Sequence, residues 1–177
     1  MRVTMKVLNS YKICLSKKTG ILCGFYKFLN VLFEIAQQVK LVYVSNKCYS
    51  KYHRGVAQLL KNINRVFYSC DIAFNITLGN NLRLPHQGLG VVIGPAVVIG
   101  DNVTIFQNVT LGAKVNGEEY SAPIIGNNVV IGAGSCILGD VKVGNNVKIG
   151  ANSVVLTGIP DNCLAVGAPA QIKKRRN

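Results

Sequence analysis

Two histidines occur in the 177 residues, and only one of them, His86, lies where the chain interrupts a regular pattern. Leu78 and Leu84 are six residues apart, whereas the next aliphatic of that series, Ile93, follows nine later. Three extra residues must be ejected there, and such bulges re-aim side chains beside active sites. An imidazole displayed in this way suits proton transfer, because its ordinary pKa lies close to neutral pH. The alternative is a corner histidine bonded to a backbone carbonyl. His53, within Tyr49-Ser-Lys-Tyr-His-Arg54, reads instead as surface or helix packing. A single histidine in the C-terminal half cannot build a three-histidine metal centre, so no metal is expected. The six cysteines (Cys14, Cys23, Cys48, Cys70, Cys136 and Cys163) form no CxxC and read as scattered reduced thiols, with packing roles for Cys136 and Cys163.

The pattern that His86 interrupts is a count of six. Ile93, Ile99, Ile105 and Leu111 form one run, and Ile125, Ile131, Ile137, Val143, Ile149 and Val155 form another. Four residues after members of these runs come Val97, Val103, Val109, Val129, Ser135, Val141, Val147 and Ser153, all β-branched or small. A period of six fits neither a helix nor a hairpin strand, and it marks a parallel β-helix. Three hexads make a coil of roughly 18 residues, the aliphatics stack inside the prism, and the small residues ease the chain around corners. The expected architecture is mainly β: a parallel β-helix of hexapeptide repeats over 71–177 after a short basic α-helical region over 1–70.

Of the 20 Lys and Arg, 12 fall within residues 1–70 against one acid, Glu34. A basic, aromatic-dotted segment of this kind attracts anionic lipid headgroups or a phosphorylated substrate, or serves as a solvated surface. No nucleic-acid motif accompanies the charge, so nucleic acid is not an expected partner. The stretch from Gly20 to Val39 is apolar but interrupted by Lys27, Asn30, Glu34, Gln37 and Gln38. It reads as an amphipathic helix that packs on a neighbour or lies on a membrane, not as a spanning helix or signal peptide. The expected location is cytoplasmic, with peripheral contact at the inner membrane face as an option.

Leu84-Pro-His86-Gln-Gly88-Leu-Gly-Val-Val-Ile93-Gly, followed by Val103-Thr-Ile-Phe-Gln-Asn-Val-Thr-Leu-Gly112, resembles the segment that carries the catalytic histidine in the hexapeptide-repeat acyltransferases, within their serine acetyltransferase-like branch. Cys163-Leu-Ala-Val-Gly167-Ala-Pro169-Ala170 is similar to the closing motif of that family near bound coenzyme A. The resemblance covers about residues 71 to 174 and implies a left-handed β-helix. It implies that His86 is the general base, taking a proton from an acceptor hydroxyl that attacks the thioester of acetyl-CoA, with backbone amides stabilising the oxyanion. It also implies that Asp71, fifteen residues before His86, orients the imidazole. The alternative for Asp71 is a cap on the first turn of the domain.

For the cofactor, the resemblance implies acetyl-CoA passing the small residues Gly132, Ala133, Gly150 and Ala151 toward Gly167, in a cleft shared by neighbouring subunits of a homotrimer. Lys173 and Lys174 are then candidates for its phosphates, ahead of the adjoining Arg175 and Arg176. Two departures concern the acceptor. Pro85 stands where the family carries an Asp, and Ser121 and Ala122 stand where it carries an Arg and a second His. The loop from Ala113 to Pro123 offers Lys114, Glu118, Glu119 and Tyr120 to a hydroxyl-rich acceptor. The expectation is therefore an acetyl-CoA-dependent O-acetyltransferase acting on a sugar hydroxyl of a surface polysaccharide or its precursor. Serine is the second acceptor, and a non-enzymatic interaction module is the reading from another class.

Overall fold

The computed structural model describes residues 38–50, 54–116 and 119–174. The segment before Gln38, His53, Glu118 and the terminal Arg175 and Arg176 lie outside the described residues, and the expectations placed on them stay there. The chain divides into two compact units, Met1–Gln37 and Gln38–Asn177, and the second is the one described. The helical residues before Cys70 thus belong to the same unit as the repeats, rather than parting from them at residue 70.

The reason lies in what the two helices bury. Helix α1 (Gln38–Ser50) and helix α2 (Arg54–Tyr68) pack together, with the Ser45 hydroxyl donating to the Ala57 carbonyl at 2.9 Å. From α1, Tyr43 Oη donates to the Gly79 carbonyl at 2.6 Å, and Asn46 Nδ2 donates to the carbonyls of Phe74 and Ile76 at 3.0 and 2.6 Å. These bonds satisfy carbonyls of the first coil that have no earlier coil to receive them, so α1 acts as its cap.

From Asp71 onward the chain winds around three flat faces. The first holds β1 (Asp71–Ile72), β3 (Val92–Ile93), β6 (Thr110–Gly112), β11 (Cys136–Leu138) and β14 (Val154–Val155) in that spatial order. The second holds β2 (Thr77–Leu78), β4 (Val98–Ile99), β9 (Ile124–Ile125) and β12 (Lys142–Val143), and the third holds β5 (Thr104–Ile105), β10 (Val130–Ile131), β13 (Lys148–Ile149) and β15 (Cys163–Val166). All of these pair in parallel, and the register puts like on like: Ile105 beside Ile131, and Ile131 beside Ile149. Strand β16 (Gln171–Lys174) returns antiparallel along β15 and closes the stack. This is a three-sided parallel β-helix.

Both hexad series point inward. Ile93 through Leu111 and Ile125 through Val155 are at most 3% exposed, and Val97, Val103, Val109, Val129, Ser135, Val147 and Ser153 are at 0%. The small residues therefore fill the corners of the core as well as easing the turns. Ser135 is tolerated there because its hydroxyl bonds the carbonyls of Gly132 and Gly150 at 2.8 and 2.7 Å.

One edge of the prism, between the second and third faces, is held by a ladder the hexad count alone does not show. Asn81, Asn102, Asn128, Asn146 and Asn162 all have φ between 55° and 60°, and each of the first four amides donates to the next coil's amide oxygen at 3.0 to 3.2 Å. Asparagine suits both demands, since it tolerates the left-handed conformation and carries donor and acceptor together. The rungs also report the coil length: the sequence step is 18 in the regular coil, 21 in the coil containing His86, and 26 in the coil containing the Ala113–Pro123 loop.

Candidate active site

The edge between the third and first faces is built differently, and the residues singled out for chemistry gather along it. Its backbone forms a column: Gly90 N donates to Ser69 O, Asn108 N to Leu89 O, Gly134 N to Gln107 O, Asn152 N to Ala133 O, and Val154 N to Gly167 O, at 2.8 to 3.0 Å. Ordered from the helical cap, the edge carries the His86 turn, then Gln107 and Asn108, then Gly132 and Ala133, then Gly150 and Ala151, then Gly167. Sequence separations of up to 81 residues collapse into one line because each coil returns to the same corner.

His86 sits in a short 3-10 turn, Pro85–Gly88, that juts from this corner. The interruption of the pattern is therefore a protruding turn rather than a bulge within a strand. His86 and Gln87 both have φ of 55°, a left-handed pair outside glycine. Backbone held in sparsely populated regions concentrates at functional sites. The turn is closed by Leu89 N to His86 O at 3.3 Å and Val91 N to Gly88 O at 2.9 Å, so its shape does not depend on the imidazole. The imidazole is exposed and bonds no described residue.

Asp71 does not meet His86 in this protomer. Its carboxylate is taken by α2, with Lys61 Nζ at 2.9 Å and Arg65 Nη1 at 3.9 Å, and neither the orienting pair nor an N-terminal cap is formed. The cause is the basic helix that ends just before the first strand and places its cations over Asp71. Both partners are part-exposed, so the contacts are worth at most about 1 kcal/mol. Asp71→Asn is accordingly expected to lower the unfolding free energy, read from urea unfolding, by no more than that amount. A loss of acetyl transfer larger than the loss of stability would show instead that the carboxylate turns to His86 during the reaction. Beside it, burial, and then Cys70, push the Tyr68 phenol above its usual range, so it stays neutral.

The Ala113–Pro123 segment is not an irregular loop. It forms a hairpin of β7 (Lys114–Asn116) and β8 (Glu119–Ser121), with Lys114 opposite Ser121 and Val115 opposite Tyr120. It leaves the edge between the first and second faces, a different edge from that of His86. At its base Ala113, Lys114 and Ser121 line an open depression with Leu138, Gly139, Asp140 and Leu156. Leu138, Asp140 and Leu156 were not singled out from the sequence; their signal was two leucines at outward-facing hexad positions.

Of the cofactor candidates, Gly132, Ala133, Gly150, Ala151 and Gly167 share the His86 edge. A Cβ on Gly132 would come within 2.6 Å of Ala151 N, and one on Gly150 within 2.7 Å of the Val166 side chain, so each glycine is required by the coil beside it. Lys173 and Lys174 lie on β16, which runs back from that edge, setting Gln171 opposite Val166 and Lys174 opposite Cys163. Three residues of strand carry Lys174 roughly 10 Å away. There it lines a depression with Pro160, Asp161, Asn162 and Ile172. Among the described residues no cluster of His, Cys, Asp or Glu could hold a metal ion, and no helix is long and apolar enough to cross a membrane.

Residues 122–157 match the family described as bacterial transferase hexapeptide (six repeats). A serine acetyltransferase of Staphylococcus epidermidis is 42% identical over 132 residues, 75% of this chain and 62% of that protein. A serine acetyltransferase of Synechococcus elongatus is 40% identical over 119 residues, 66% of this chain and 48% of that protein. Among solved structures, the serine acetyltransferase of Brucella abortus strain S19 in complex with coenzyme A superposes with a TM-score of 0.74 at 34% identity, over 78% of this chain and 55% of that one. The chain thus spans less than two thirds of the length of these relatives. The prism is a left-handed β-helix of hexapeptide repeats. Within that class, the chain is similar to the serine acetyltransferases over about three quarters of its length.

Proposed function

We propose that this protein is an acetyl-CoA-dependent O-acetyltransferase with His86 as its general base. The observation that carries the reading is the shared edge: an outward imidazole on a strained turn at one end, and residues without bulk from Gly132 to Gly167 along the rest. A thioester lying on that edge would keep its acetyl end at the imidazole and its pantetheine arm over Ala133 and Ala151. His86 takes the acceptor hydroxyl proton as the oxygen forms its bond to the thioester carbonyl carbon. The C–S bond then breaks, and the imidazolium returns the proton to the departing thiolate.

Serine is the acceptor this reading now places first, reversing the order drawn from the sequence, because the relatives are named serine acetyltransferases. The sugar hydroxyl keeps second place on a specific observation: Pro85, Ser121 and Ala122 stand where the family pattern has charged or imidazole groups. The hairpin bearing Lys114, Glu119 and Tyr120 leaves a different edge from His86, so the two share a site only if a neighbouring copy supplies the hairpin. A homotrimer closes that arrangement.

The test is free-thiol release from acetyl-CoA with serine and with a panel of sugars in parallel. Release with serine alone is expected. Release with a sugar and not with serine moves the acceptor to the second reading. If no acceptor releases thiol and coenzyme A does not bind, the fold is an interaction module and the enzyme reading is wrong.

A further inference from the structure

Gln107 occupies the corner position that is alanine in the next two coils. Gly134 N donates to Gln107 O as Asn152 N donates to Ala133 O, so Gln107, Ala133 and Ala151 are equivalent places on one edge. On its other side Asn108 N reaches Leu89 O, and Leu89 N reaches His86 O, so Gln107 lies between the His86 turn and the small-residue run. A large amide stands where the pattern of the edge calls for a small side chain.

Its bonding is as unusual as its size. The amide oxygen Oε1 is sealed from solvent and has no hydrogen-bond partner, whereas the amide nitrogen is not sealed, although the residue is only part-exposed. Leaving a buried carbonyl unpaired is unfavourable, and among the described residues Gln107 Oε1 shares that state only with Asn64 Oδ1 on α2, so it calls for a reason. With the oxygen enclosed, the N–H end is the part of the amide left open to a ligand on that corner.

Resting on the acetyltransferase reading above, we propose that the Gln107 side-chain amide is a catalytic donor to the thioester carbonyl oxygen. As the acceptor oxygen bonds to the carbonyl carbon, the C=O electron pair moves to that oxygen. The Gln107 N–H stabilises the resulting oxyanion until the C–S bond breaks and the carbonyl re-forms. The placement selects the acetyl end of the donor over its pantetheine arm, because Gln107 is the coil position next to the base. A donor fixed at the site of developing charge acts in the transition state far more than in substrate binding.

Gln107→Leu keeps the approximate volume and removes the donors, and Gln107→Glu keeps the shape and replaces them with acceptors. Both are expected to lower kcat by about 10²- to 10³-fold, as loss of one oxyanion donor does elsewhere. KM for acetyl-CoA and calorimetric binding of coenzyme A should move less than threefold. Because the oxyanion forms on the donor, the defect should be equal with every acceptor the wild type uses. A rise in acceptor KM with kcat preserved would overturn the proposal, as would activity within threefold of wild type in a folded variant. If Gln107→Leu melts early, Gln107→Glu decides by the same criteria. Wild-type activity that vanishes in His86→Ala but persists in both Gln107 variants sinks this inference alone; a wild type that releases no thiol sinks the underlying reading with it.

Discussion

His86→Ala is expected to lower thiol release from acetyl-CoA by about 10²- to 10⁴-fold, the usual contribution of a positioned general base. The fold should survive. The imidazole is exposed and bonds no described residue, and the turn is closed by backbone bonds from Leu89, Val91 and Gly90 that alanine leaves in place. The one structural penalty is alanine in a left-handed conformation at φ 55°, which histidine tolerates somewhat better, and it amounts to about 1 kcal/mol or less. Urea unfolding beside the thiol assay separates the two effects. Activity within threefold of wild type would remove His86 from the mechanism and leave its strained turn without a chemical reason.

How much of this was legible beforehand follows from which forces act locally. The period of six from Ile93 to Val155 encodes burial directly, because one wrong side chain at an inward position would disrupt a column shared by every coil. The face order, the coil length and the corner carrying His86 all follow from that count. The counts also located both interruptions, since an insertion shifts every later rung; the ladder steps of 21 and 26 record them. They could not give the shape of what was inserted. A polar stretch such as Lys114 to Ser121 closes into a hairpin through backbone bonds that its composition does not announce. Asp71 was harder still. Fifteen residues before His86 is one coil back in sequence, but Lys61 on α2 reaches it first, and a helix docked on the prism has no period to betray it. The position of Lys173 and Lys174 was hidden for a related reason, the reversal of the chain at Gly167 to Ala170. Gln107 was visible as a residue type, yet its stranded oxygen exists only once the corner has been built.

The largest expected effect on stability separates the two sides of a single wall. Ile131 is fully buried, with Ile105 and Ile149 stacked against it in register. Ile124, on the neighbouring face of the same coil, is 39% exposed. Truncating Ile131 to alanine opens a void that its neighbours cannot close, because Phe106 N to Ile131 O at 3.0 Å and Gly132 N to Ile149 O at 2.8 Å hold the adjoining coils at fixed spacing. The loss should fall within about 2–5 kcal/mol, toward the upper end because collapse is blocked. Ile124→Ala removes the same atoms from a side chain that water already reaches and leaves no enclosed void, so it should cost below about 1 kcal/mol. Urea unfolding of the two variants checks the difference. Since each coil is stabilised mainly by its neighbours, the Ile131 variant should also broaden the transition or lower its slope, as the stack parts at the weakened interface. Equal losses for the two isoleucines would mean that the inward and outward positions of the hexad are not energetically distinct, and the alignment of His86 with Gly167 along one edge would lose the rigid wall that maintains it.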